Sequence, residues 1–277
     1  IGEELAGGRR TVAFTIQAVL KRLPIVVAPP VGGILIERLG LARGMRVGFA
    51  VSVVLSVMML AGLRFGFRRG AGAPALPAEP LRFGKTRLHP ILRRLLVSDC
   101  LIRLCEGLPD VFLVIWALEV VRISPAQFGL LISIQTVTAI VSYVPAAALA
   151  GRVEKKPFVV ATFLFFALFP VAVVSSRSFG QMAAAYILGG LREIGEPARK
   201  ALIVDLSCSR SRGRSVGAYY AVRGFTVAGA AAAGGALWTI RPALTFVAAA
   251  LLGAAGTLWA MISLPSHPAA PESIADA

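Results

Sequence analysis

Apolar runs about twenty residues long recur from one end of this chain to the other, and few folds can house them. A bilayer core about 30 Å thick asks for about 20 residues of helix, each rising about 1.5 Å. Eight runs satisfy that: Val12 to Leu35, Val47 to Phe65, Ile91 to Val121, Ala126 to Ala150, Phe158 to Ser175, Gln181 to Leu206, Val216 to Trp238 and Ala243 to Leu264. They lack the two-residue alternation of barrel strands and are rich in Ala, Leu and Gly. Charged residues make up 16% of the chain, against about 25% for an ordinary soluble domain. The expectation is an all-α polytopic membrane protein with about eight transmembrane helices.

The net charge of +15 raises nucleic acid as a partner, but most basic residues cluster in short segments between apolar runs. That distribution points to a lipid bilayer and orients the helices. When alternate connections are assigned to opposite sides, one side collects 18 Lys and Arg, among them Arg64, Arg93, Arg152, Lys155, Lys156 and Arg199. The other collects 6: Arg38, Arg43, Arg46, Arg122, Arg177 and Arg241. The excess places both ends of the chain on the cytoplasmic side of an inner (cytoplasmic) membrane. Phe67 to His89, rich in Gly, Pro and basic residues, reads as a cytoplasmic linker with two spans before it and six after. Cys100, Cys105 and Cys208 lack metal-ligand spacing and read as small hydrophobes, so no cofactor or metal is called for.

Two of the runs look like diverged copies. Gln17-Ala18-Val19-Leu20-Lys21-Arg22 lies over Tyr219-Tyr220-Ala221-Val222-Arg223-Gly224 at an offset of 202, and Gly32-Gly33-Ile34-Leu35 over Gly234-Gly235-Ala236-Leu237. Long-period similarity of this kind marks duplicated carrier halves. Equivalent first and seventh spans imply a six-helix unit. Residues 1–66 are then the last two helices of a first half, 67–89 the central linker, 90–265 a complete second half and 266–277 a tail. Twelve helices are expected in all, with four upstream of Ile1.

This arrangement resembles the major facilitator superfamily, and local motifs add to the resemblance. Ala28-Pro29-Pro30-Val31-Gly32-Gly33 is similar to the Gly-Pro-x-x-Gly-Gly of that family's fifth helix, with Ala for the first Gly. Tyr143 to Pro157 resembles the loop between the eighth and ninth helices, with Gly151 in place of its Asp. Glu196 to Leu202, followed by Arg212 to Gly217, resembles the tenth-to-eleventh connection. The resemblance implies alternating access, a gating part for Arg152, Lys155 and Lys156, and a lean toward antiport. Gly229 to Ala236 offers a small-residue surface for the close helix packing that rocking needs.

Charges persist inside the runs, although each costs at least about 2.5 kcal/mol near the bilayer centre. Asp99, Arg103, Glu106 and Asp110 follow one another at spacings of four, three and four, so they share a helix face that should point inward. Asp99 with Arg103, and Arg103 with Glu106, can pair along the helix. Glu106 and Asp110 repel, and one of them should hold a proton or face an arginine such as Arg223. Pro109 cannot donate to Cys105, so the helix should bend there. Arg192, Glu193 and Glu196 form a second cluster, with both acids on one side. Lys21 has a basic counterpart in the repeat, Arg223, whereas Arg22 aligns with Gly224. These charges read either as a structural clamp or as substrate and proton-coupling groups. Gln135, Tyr143 and Trp116 are cavity-lining possibilities, with ordinary packing as the alternative.

No nucleophile elbow, phosphate loop or His-Glu-x-x-His occurs, so the chain does not read as an enzyme. The expectation is a monomeric secondary transporter of a small solute, coupled to H+. The alternative is a non-transporting polytopic sensor or assembly protein.

Overall fold

The computed structural model describes residues 7–66, 89–149, 154–206 and 212–265, and every regular element in them is helical. In chain order these are α1 (Gly7–Leu39), α2 (Leu41–Gly66), α3 (Pro90–Asp110), α4 (Phe112–Ile115) running into a π-helical turn (Trp116–Val120), α5 (Pro125–Leu149), α6 (Lys155–Ser175), α7 (Phe179–Leu191), α8 (Glu196–Asp205), α9 (Arg212–Ile240) and α10 (Pro242–Ser263). Each expected run lies on helix. Four described helices are long and apolar enough to cross a membrane: Leu41–Phe65, Pro125–Tyr143, Lys155–Ser175 and Pro242–Ser263.

Two runs expected to be continuous are interrupted. The 91–121 run stops at Val111, one residue after Asp110, where the Val111 N–H turns back onto the Pro109 carbonyl. Pro109 does disturb the helix as its missing donor requires. The 181–206 run breaks at Arg192–Gly195, a turn between α7 and α8. Pro197 is the physical reason: it fits the first turn of a new helix, where no donor is needed, and not the interior of an old one.

Helix starts follow local chemistry. Ser124 and Gln127 form a reciprocal capping box at α5, with Ser124 N–H donating to Oε1 of Gln127 (2.9 Å) and Gln127 N–H donating to Oγ of Ser124 (3.2 Å). Pro125 fills the first helical position. His89 caps α3 by accepting from the Ile91 N–H through Nδ1, at 3.3 Å.

Prolines also fasten helices to one another. Pro30 leaves the Val26 carbonyl without its helical donor, and Ser133 of α5 donates to it at 2.5 Å. Pro170 does the same to Phe166, whose carbonyl accepts from the Cys105 thiol of α3 at 3.3 Å. In lipid such bonds replace a hydrophobic drive that is absent between helices. Glycines set the spacing at the first of these contacts: a Cβ on Gly33 would strike the Pro125 carbonyl, and one on Gly129 the Pro29 carbonyl. α1 therefore lies directly on α5, while none of the apolar window of α2 is buried.

The small-residue run of α9 is used on one side. Ala230 and Gly234, one turn apart, are buried against Gly107 and Leu108 of α3, beside Pro109. Gly229 and Gly235 meet nothing. A single non-helical residue joins α1 to α2 (Gly40, φ +77°) and α9 to α10 (Arg241). This likeness of connection accompanies the sequence repeat.

Candidate functional site

Asp99 is fully buried, and three elements converge on it. From α8, Nη1 of Arg199 approaches Oδ2 at 2.5 Å; from α9, the Tyr219 hydroxyl donates to the same oxygen at 2.9 Å, and Nε of Arg223 lies 3.3 Å away. Along α3, Nε of Arg103 is 3.7 Å from Oδ1, and Nη1 of Arg103 contacts Oε2 of Glu106. Arg199 also reaches Oε2 of Glu196 through Nε (3.0 Å) and Nη2 (2.5 Å), and Lys200 lies 3.4 Å from Oε1. Three arginines, Arg103, Arg199 and Arg223, thus face three carboxylates, Asp99, Glu106 and Glu196. Arg199 is only 1% exposed, so its charge is tolerable only because both neighbours are acids. The cluster ties α3, α8 and α9 together.

The face-sharing expected along α3 holds, and it grades outward. Exposure rises from 0% for the Asp99 side chain to 11% for Arg103 and 32% for Glu106, and Asp110 is exposed. Both intrahelical pairs form. Arg223 corrects the expectation: it faces Asp99, 3.3 Å from Oδ2, rather than Glu106 or Asp110. Asp110 makes no ion pair or hydrogen bond among the described residues.

The second expected cluster is dispersed, because Arg192 to Gly195 form a turn and not a helix face. Arg192 lies over the rings of Phe166 (4.8 Å) and Phe169 (4.6 Å), its Nε donating to the Gly189 carbonyl at 2.8 Å. Glu196 joins the Asp99 group. Glu193 turns the other way and meets Nη2 of Arg22 on α1 at 2.7 Å. The turn is seated on α6, where Oγ1 of Thr162 accepts from the Gly195 N–H at 2.7 Å and a Cβ on Gly195 would strike the Phe158 carbonyl.

Arg22 and Glu193 border a cavity of about 340 Å³ between α1, α5 and α7, lined also by Ile25, Ile132, Gln135, Thr136, Ala139 and Gly189. Tyr143 stacks under the Arg22 guanidinium at 5.6 Å. A larger groove of about 480 Å³ between α6 and α10 is lined by aliphatic side chains, Phe246 and Thr257, and offers no charged group.

Of the other expected residues, Lys21 is exposed and makes no ion pair among the described residues, whereas Arg22 beside it pairs with Glu193. Lys155 and Lys156 open α6, half-buried, after Glu154 at its N-cap. Arg152 lies outside the described residues. Gln135 lines the cavity, whereas Trp116 is buried core, 5.1 Å from Phe246. Arg22, Arg199 and Tyr219 were not singled out by the spacing. For Arg199 a signal existed, since Glu196 precedes it by three residues.

Among comparisons with known proteins, the family model described as Major Facilitator Superfamily matches residues 95–277. No curated protein matches the chain.

Proposed function

The chain belongs to the major facilitator superfamily, and on that basis we propose that it is a secondary carrier of a small solute, working by alternating access. It is an integral membrane protein of a transporter family, and that family's members are not enzymes. The observation that carries the finer reading is the distribution of charge: ionisable side chains that are costly in lipid are gathered inside the bundle instead of being scattered at its ends.

On this proposal α1 and α2 close the first half, and α3 to α10 form the second, with α3–α4 and α7–α8 each crossing the membrane as one interrupted span. That makes eight crossings, with both ends and the linker on the cytoplasmic side of the cell membrane and the monomer as the working unit. H+ is the coupling ion, taken up by Glu106 and Asp110. These acids stand one turn apart on the open end of the α3 stripe, and among the described residues only Glu106 forms an ion pair. The Pro29-Pro30-Val31-Gly32-Gly33 element at the α1–α5 contact supports antiport, by likeness to the family motif.

The test is transport in proteoliposomes. The unmodified chain should exchange a labelled solute by counterflow and accumulate it under an imposed pH gradient. Glu106→Gln should keep counterflow and lose gradient-driven accumulation. Gradient-driven accumulation unchanged in that variant removes Glu106 from the coupling. Binding with no counterflow by any variant removes the carrier itself and leaves a sensor.

A further inference from the structure

Among the ion pairs of the described residues, Arg22–Glu193 is the one that lines either of the two cavities described above. The two side chains come from elements 171 residues apart and are 24% and 33% exposed, so each can be reached from the cavity while still touching the other. Gln135 and Thr136 of α5 supply an amide and a hydroxyl on the facing wall. Gly189 lets the Phe169 ring and Gln135 pack close to it: a Cβ there would sit 2.8 Å from the ring and 3.4 Å from Nε2 of Gln135. Ile25, on the α1 side, carries a carbonyl that Pro29 deprives of its helical donor.

The lining therefore holds one cation, one anion and several neutral polar groups, and its charges cancel. That balance restricts what can enter. A monoanion can take Arg22 only by stripping it from Glu193, which leaves a two-thirds-buried carboxylate without its cation. A monocation leaves Arg22 in the same state. A partly buried charge left without its partner is disfavoured relative to one that keeps a partner. A solute carrying both charges has neither fault, because it replaces one ion pair by two.

We propose that this cavity binds a small zwitterion, whose carboxylate takes Arg22 and whose ammonium takes Glu193, with Gln135 and Thr136 completing the contacts. This deepens the carrier reading and rests on it. The exchange also has a mechanical consequence. Arg22 belongs to α1 and Glu193 to the turn between α7 and α8, so the pair fastens elements assigned to opposite halves. Inserting the solute unfastens them, and binding becomes the event that frees one half to move against the other.

The experiment uses the full chain in lipid nanodiscs and three zwitterions of different charge separation: glycine, leucine and γ-aminobutyrate. N-acetylleucine and leucinamide serve as the matched monoanion and monocation. At least one zwitterion should raise the thermal unfolding midpoint in a saturable way, with an affinity at least about tenfold above those of the two monoions. Glu193→Gln should abolish the preference over N-acetylleucine, and Arg22→Gln the preference over leucinamide. Equal binding of all probes, binding of none of the zwitterions, or a preference that survives both substitutions overturns the proposal. The probes act on the unmodified chain, so a variant that fails to fold leaves the first comparison decisive. Counterflow in liposomes separates the two claims. Counterflow of some solute without zwitterion preference leaves the carrier standing and removes this site. Zwitterion binding without counterflow keeps the site and removes the carrier.

Discussion

Asp99 and Glu193 are both carboxylates held by arginine inside the same bundle, yet their surroundings are opposite. Asp99 is fully buried, receives Arg199, Arg223 and Tyr219 from other helices and Arg103 from its own, and lines neither of the two cavities described above. Among the described residues Glu193 pairs with Arg22 alone, and a third of its side chain is exposed beside a cavity. A multiply held, fully buried charge is suited to fixing helices in one arrangement. A singly held, accessible charge is suited to being given up. On the reading proposed above, the same chemical pair does two jobs, and solvent access together with the number of partners decides which.

The sharpest break of this contrast is Asp99→Asn. It leaves Arg199 buried with Glu196 alone and removes the charge facing Arg103 and Arg223. Loss of one partner from a buried pair costs about 3–5 kcal/mol, so the purified variant should show a much lower unfolding midpoint or a loss of folded yield. Tyr219→Phe removes one hydrogen bond to a charged group, worth about 1.5–3 kcal/mol, and should lower the midpoint by a smaller step. Arg22→Gln should move it least, because a partly exposed pair contributes about 0–1 kcal/mol. A midpoint that falls as far for Arg22→Gln as for Asp99→Asn would erase the distinction between the two regions.

The helical architecture is legible in the sequence because bilayer thickness and helix rise fix the run length, and the described part of each run is helical, with breaks at Val111 and at Arg192–Gly195. The inward stripe from Asp99 to Glu106 was equally legible, since spacings of four and three fix a shared face whatever the neighbours do. Ser124-Pro125-Ala126-Gln127 wrote the start of α5 in local chemistry, and the structure forms that capping box. Long-range partners were not legible. Which arginine reaches Asp99 depends on how α8 and α9 are rotated against α3, and Arg199 and Tyr219 stand 100 and 120 residues away. Arg199 looked like a cytoplasmic loop residue because it adjoins Lys200; the structure buries the one and exposes the other. The match in the repeat points to Lys21, one step of about 100° around the helix from Arg22, the residue that pairs with Glu193. The interruption at Arg192–Gly195 was foreshadowed by Gly195 and Pro197, yet apolar run length alone carries no information about breaks.

The most direct test is solute exchange per folded molecule, measured for Glu193→Gln and Asp99→Asn in the same liposomes, with the folded fraction measured separately. Glu193→Gln should keep the folded fraction and unfolding midpoint of the unmodified chain while exchange falls at least about tenfold. Asp99→Asn should lose folded protein. Full exchange by Glu193→Gln, at an undiminished folded fraction, would contradict the assignment of the accessible pair to transport.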